Sequence, residues 1–481
     1  MVAQGYVMTT QYDAIVIGSG PNGLAAAIAV AQTGRSVLMY EAKDSIGGGV
    51  RSLELTLPGF MHDVCSAIHP LAVGSPFLRT LPLKQYGLEW ISPPLALAHP
   101  FDDGTAAALD RSIDATGKTL DCDAEAYRKL MKPFVADWDK LAHDILAPLR
   151  PPRYPFALAR LGLKAIPSAR ILAESTFKGE RARGFFAGLA GHSMMPLDQP
   201  ITAGFGLTLA ILGHVVGWPF PRGGAQKIVD AMAAYLRSLG GKIITGVEVQ
   251  SLEGLPAATA YFCDVTPRQL LRIAEKRLPK GYQHRLEHYR YGPGVFKIDF
   301  ALDGPIPWKA EACTQAGTLH LGGTFEEIAA SERAVWQGQH AERPYILLAQ
   351  QSLFDHTRAP AGKQTAWAYC HVPNGSTFDM TGRIEAQIER FAPGFRERIL
   401  ARSTKNALQM EQYNANYVGG DINGGVQDFR QFFTRPTVQP VPYTTGAKGV
   451  YICSSSTPPG GGVHGMCGYF AAQTALHDVL K

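Results

Sequence analysis

At 481 residues, 46% hydrophobic and 18% charged, the chain is long enough for two or three domains with large cores. A net charge of +5 gives no argument for nucleic acid as a partner, and no uncharged apolar run of about 18 residues or more marks a transmembrane helix. Seven cysteines without a CxxC pair, and no secretory leader in residues 1–12, point to reduced thiols in the cytoplasm.

Residues 12–18 read YDAIVIG, a short apolar run rich in β-branched side chains that predicts a strand. GSGPNG follows, then LAAAIAVAQTGRSVLMYEA, which predicts a helix and a second strand. Gly18, Gly20 and Gly23 match G-x-G-x-x-G. In such a turn the first glycine permits the tight bend, the second lets the backbone approach a pyrophosphate, and the third lets the helix pack on the strand. The helix N-terminus adds free N–H groups and a positive dipole end. Glu41 closes the second strand 18 residues beyond Gly23, where an acid can accept hydrogen bonds from a ribose.

Gly47, Gly48 and Gly49 come next, in EAKDSIGGGVRS. An acid followed by a glycine pair resembles the FAD-binding pattern of the amine oxidase/phytoene desaturase superfamily. Gly49 stands where that family usually has an arginine, so Arg51 is the candidate to take over phosphate contact. PGFMHDVCSAIHPLAVGSPFL, VFKIDFALDGPIPW and GGDINGGVQDFRQFFTRP resemble the phytoene desaturase-related branch. More narrowly, they are similar to proteins called pyridine nucleotide-disulfide oxidoreductase domain-containing 2 and their bacterial relatives. Despite that name, the chain has no CxxC redox pair and no second strand–GxGxxG–helix unit for NAD(P). The resemblance implies an α/β fold. A discontinuous Rossmann-type FAD-binding domain of the glutathione-reductase-like family 2 joins a mixed α+β substrate domain. The FAD-binding domain is expected from 10–95, 218–292 and 432–481, and the substrate domain from 96–217 and 293–431. FAD is expected to bind without covalent attachment, since no Cys or His lies in a clear flavinylation context.

Residues 150–183 hold eight basic and two acidic side chains, interleaved with apolar ones. Such a segment suits either a solvated surface helix or peripheral contact with an anionic bilayer on the cytoplasmic face. His192, His214 and Trp218 flank the apolar stretch TAGFGLTLAIL, which suits a greasy tunnel or a plain buried helix. Residues 220–249 read glycine turn, amphipathic helix and strand; the resemblance brings the backbone near Val249 to the adenine. Lys297, in GVFKIDFALDGPIPW, resembles the lysine that amine oxidases carry beneath the flavin, and the alternative is a strand lysine facing solvent. Asp421 and Asn423 suit a cavity wall or a turn equally.

GVYICSSSTPPGGGVHGMCGYF reads strand, glycine loop, helix, with the helix expected to begin near Gly462. The resemblance lays Gly461, Gly462 and Val463 against the flavin, with its pyrimidine side at the helix N-terminus. His464, in the same loop, is a candidate base. The sequence therefore points to an FAD-dependent oxidoreductase acting by hydride transfer on an apolar, isoprenoid- or lipid-like substrate, with oxygen or a quinone as electron acceptor. Three rivals stay open: an oxygen-dependent amine oxidase-like enzyme, a flavin-containing interaction protein without catalysis, and redox-neutral isomerisation by reduced flavin.

Overall fold

The structure is a computed structural model describing residues 12–481. All but the last residue of the stretch read for a leader, and the first two residues of the expected FAD domain, lie outside the described residues.

Two sheets organise the chain. The first has five parallel strands in the order Val450–Ile452, Ala258–Cys263, Tyr12–Ile17, Val37–Tyr40 and Lys242–Ile244. Its central strand is apolar on both faces, as a strand covered on both sides must be. The glycine-loop helix Pro21–Ala31 and the C-terminal helix Met466–Asp478 pack against each other closely. A Cβ added to Gly468 would stand 1.8 Å from the Asn22 carbonyl oxygen, so that contact demands glycine.

The second sheet has seven strands, in the order Ile399–Lys405, Gly294–Leu302, Gln364–Val372, Ile346–Ala349, Ala316–Leu321, Leu95–Pro100 and Ala106–Leu109. All neighbours are antiparallel except Ala316–Leu321 with Leu95–Pro100. Side chains alternate across it with period two. Phe296, Ile298, Phe300 and Leu302 face one apolar core with Leu319, Leu321, Ile346 and Leu348. The residues between them form two rows on the other face. Register aligns Asp299, Trp367, Ala349 and Thr318 in one row, and Lys297, Tyr369, Leu347 and His320 in the next. Helices Glu180–Gly191 and Thr202–Val215 pack on each other above this sheet, on the side of the second face. Among the described residues no helix is long and apolar enough to cross a membrane.

Candidate active site

A continuous cavity of about 520 Å³ runs from the first sheet to the second. Gly18, Ser19, Gly20, Glu41 and Gly48 line one end. Leu209, Trp218, Leu347, Trp367 and Tyr369 line the other, with Gly462 and Val463 also on the wall. The second face of the seven-stranded sheet is therefore the floor of the inner, apolar end.

The polar end is built by backbone. Gly18 has φ +96° and Gly48 φ +55°, a region that L side chains rarely adopt. A Cβ on Gly20 would lie 2.8 Å from Asp264 Oδ2, and one on Gly48 would lie 3.2 Å from Gly20 Cα. Gly23 lies behind the wall: a Cβ there would stand 2.1 Å from the Gly18 carbonyl oxygen, so it serves helix–strand packing. Helix Pro21–Ala31 has Gly20 at its N-cap; Pro21 has no N–H and the Gly23 N–H is held by Asp264, so the Asn22 N–H is the one the first turn leaves to an anion. This narrow, glycine-walled slot fits the pyrophosphate of a dinucleotide.

Glu41 carries four hydrogen bonds. Its Oε2 accepts from Ser19 N–H (3.0 Å) and from the Ser19 hydroxyl (2.5 Å); its Oε1 accepts from Lys43 N–H (3.0 Å) and Arg51 Nη2 (3.0 Å). A ribose would exchange with some of these. Arg51 also donates to the Ser45 carbonyl at 2.8 Å and is 4% exposed. Its guanidinium thus ties the 45–48 loop to Glu41 while lining the cavity. Gly49 also lines the wall, where the Tyr417 hydroxyl would stand 2.4 Å from an added Cβ. Val249 lines the same end, beside Glu248 and Val247.

The structure does not bring Lys297 or His464 to the wall. Lys297 is 2% exposed and forms a buried ion pair with Asp299, two residues away on the same sheet face. The solvent-facing alternative is therefore corrected as well. Its ammonium stands 5.7 Å from the centre of the Trp367 ring, which itself lines the cavity. Both ring nitrogens of His464 are engaged by backbone: Nδ1 accepts from Met466 N–H at 3.0 Å and Nε2 meets the Gly460 carbonyl at 3.2 Å. Burial pushes its pKa down to about 4. His464 thus caps the C-terminal helix, which starts at Met466 rather than near Gly462 because Gly465 turns left-handed at φ +69°. Gly461 lies behind the wall against Asn423, while Gly462 and Val463 reach the cavity. Asp421 is a turn former, accepting from the N–H groups of Gly292, Asn423 and Gly425. Asn423 lines the cavity; His214 does not, bonding instead to the Tyr127 hydroxyl at 2.7 Å.

Sequence reasoning missed Asp264. It follows the strand Ala258–Cys263, lines the cavity beside the glycine loop, and its Oδ2 accepts from Gly23 N–H at 2.9 Å. Burial pushes its pKa up to about 7, against the pull of the Gly23 N–H, with Glu41 raising it further. A buried carboxyl that tends to stay neutral is tolerable beside phosphate; an ionised one is not.

In fold and site the chain resembles the FAD-dependent oxidoreductases of the amine oxidase/phytoene desaturase superfamily. Phytoene dehydrogenases and desaturases are among the homologues of this chain. Residues 16–79 match the family model described as an NAD(P)-binding Rossmann-like domain. Pyridine nucleotide-disulfide oxidoreductase domain-containing protein 2 of Mus musculus is 26% identical, over 98% of this chain and 94% of its own. A limonene dehydrogenase polypeptide of Castellaniella defragrans is 29% identical, over 98% of this chain and 95% of its own. In fold, the chain is similar to the crystal structure of an oxidoreductase from Methanosarcina mazei, with a TM-score of 0.65 and 16% identity over 98% and 100% of the two chains.

Proposed function

We propose that the protein binds FAD non-covalently and oxidises a compact apolar substrate of isoprenoid or related lipid-like character. The carrying observation is the continuity of one cavity from a glycine-walled, anion-ready slot to a chamber of Leu209, Trp218, Leu347, Trp367 and Tyr369. Bound FAD supplies a two-electron acceptor for hydride. The parallel-sheet unit holds the dinucleotide, and the second sheet with its helices holds the substrate and excludes water. The bulky apolar side chains that line the chamber suit a compact apolar molecule. The desaturase and limonene dehydrogenase relatives support this substrate class. The acids on the wall, Glu41, Glu248 and Asp264, belong to the other end, so the chamber offers no counter-charge to an ammonium substrate. That disfavours the amine oxidase reading.

The purified protein should be yellow and should release its flavin into the supernatant on acid precipitation. Gly20→Val should be colourless, because a side chain would occupy the slot beside Asp264. A fully loaded yellow variant would contradict the assignment.

We propose that a membrane contact of residues 150–183 would rest on apolar rather than on basic side chains. Arg160 is paired with Asp137, and Arg170 with Glu326 and Glu174. These charges are already compensated. Helix Pro155–Ala165 instead presents apolar side chains to solvent, with Phe156 92% and Leu163 78% exposed. Arg153 and Lys164 flank them, also exposed. This helix packs on Thr202–Val215, whose Leu209 lines the cavity. The arrangement suits a helix lying in a bilayer surface near the substrate chamber. The protein should sediment with anionic vesicles, and Phe156→Ser/Leu163→Ser should abolish this with the flavin spectrum intact. High salt should weaken the binding without removing it, since apolar insertion is unscreened. Sedimentation unchanged in the double variant would remove the helix from the contact.

A further inference from the structure

The inner chamber ends on a pair of histidines that the flavin chemistry does not use. His192 caps helix Glu180–Gly191 and lines the cavity beside Trp218. Its Nε2 lies 2.9 Å from Nε2 of His320, which projects from the sheet floor. Two nitrogens at this distance share one proton, so one ring donates and the other accepts.

The surroundings decide which. His320 Nδ1 is buried and has no partner. It faces the Cα of Gly188, where an added Cβ would stand 2.8 Å away. If His320 accepted from His192, that Nδ1 would carry an orphaned N–H. If His320 donates, Nδ1 is only a bare lone pair, the less costly of the two. The other groups near the pair do not change this. His99, on the neighbouring strand, donates Nε2–H to the Gly323 carbonyl at 2.7 Å, which leaves its own Nδ1 without a proton. His371 is joined through Nδ1 to Glu332 at 2.8 Å. Burial keeps both members neutral: His192 is pushed down to about 3, with the His371 ring adding to the effect, and His320 well below its ordinary value.

With Nε2 accepting, the proton of His192 sits on Nδ1, which makes no hydrogen bond among the described residues. Two further polar atoms on chamber residues also lack partners, Trp367 Nε1 and Thr318 Oγ1. Trp367 Nε1 can only donate, and a threonine hydroxyl can donate. Thr318 and Trp367 lie in the same row of the sheet floor, with His320 in the adjacent row.

We propose that His192 is a neutral hydrogen-bond donor to the ligand through Nδ1–H, its tautomer set by His320, and that the chamber therefore takes an apolar molecule bearing one acceptor oxygen rather than a bare hydrocarbon. This rests on the reading of the cavity as a flavin and substrate site. His192 orients the oxygen-bearing end, and Trp218 and Leu209 enclose the apolar body.

Two measurements on the flavin-loaded protein test it. Nitrogen-15 spectra of histidine-labelled protein at pH 7 should show His192 protonated at Nδ1 and bare at Nε2, with the signals assigned by their loss in His192→Phe. The reverse tautomer would overturn the proposal. Carvone and limonene, which share a skeleton and differ by one carbonyl oxygen, serve as binding probes. Carvone should bind about tenfold more tightly, the scale of one net hydrogen bond. That preference should vanish in His192→Phe with limonene affinity kept, survive in His192→Asn, and fall in His320→Phe, which frees the tautomer. Equal binding of the two probes to the wild-type protein would overturn the donor role. Binding of neither would overturn the compact apolar substrate class itself, while the nitrogen-15 spectrum would still decide the tautomer. If His192→Phe loads no flavin, the wild-type spectrum and His192→Asn carry the test.

Discussion

Lys297→Met is expected to destabilise the protein by about 3–5 kcal/mol, because it strands a buried carboxylate. Asp299 is 2% exposed, and its neighbours are Lys297 and, at 3.6 Å, His62 Nδ1. Burial already raises its pKa to about 6 with Lys297 in place. Without the ammonium the pKa rises further, and the carboxyl is driven towards its neutral form. A carboxyl whose folded pKa lies above its unfolded value favours the folded state most at low pH, and that contribution is lost as pH rises through the folded pKa. The deficit of the variant should therefore be small near pH 5 and largest at pH 8. Thermal unfolding across that range measures it. Lys297→Met/Asp299→Leu should recover most of the loss at every pH, since an apolar pair needs no partner charge. A deficit independent of pH, or a double variant no better than the single one, would show that the pair does not carry this energy. Flavin reoxidation near pH 5, where the variant stays folded, should be unchanged, because Lys297 is spent on Asp299 and does not reach the cavity wall. A slowed rate would return Lys297 to the flavin face.

The dinucleotide end was legible in sequence because its requirements are local. Gly18, Gly20 and Gly23 are demanded by contacts within one strand–turn–helix unit and with Asp264 beside it, and Glu41 follows one strand later. The chamber was not legible in this way. Trp367, Tyr369, Thr318 and Leu347 come together through sheet register, which fixes neighbours far apart in sequence. His192 and His320 meet across 128 residues. Local alternation in VFKIDFAL puts Lys297 and Asp299 on one face and Phe296, Ile298 and Phe300 on the other, the pattern of a half-buried strand. Nothing local shows that the charged face is covered as well, so the buried Lys297–Asp299 pair emerges only from the packing. His464 misled for the opposite reason. A histidine in a glycine loop looks available, but the left-handed turn at Gly465 aims its ring at the first N–H of the helix.

Asp264→Asn is expected to remove a pH dependence from flavin binding. In the wild-type protein, Asp264 Oδ2 accepts from Gly23 N–H at the mouth of the glycine slot, 2.8 Å from where a Gly20 Cβ would lie. A pyrophosphate in that slot sets negative charge against this carboxyl, so the bound state favours its protonated form. Its pKa of about 7 puts the cost inside the working range. Below that value the proton is already present and affinity should be level. Above it, binding must take up one proton, and affinity should fall by up to about tenfold for each pH unit. Asparagine keeps the acceptor for Gly23 and offers phosphate an N–H donor without a charge. The variant should hold affinity level from pH 6 to 9 and bind more tightly than wild type at the upper end. The same substitution should stabilise the flavin-free protein near neutral pH. A buried carboxyl raised from 3.8 to about 7 loses folded-state stability as pH climbs between those values, and asparagine has no proton to lose. Titrating flavin-free protein with FAD, followed by quenching of flavin fluorescence, gives both curves. A wild-type affinity that stays level to pH 9 would mean that Asp264 remains neutral or lies clear of the phosphates. Parallel slopes in the two proteins would assign the titration to another group.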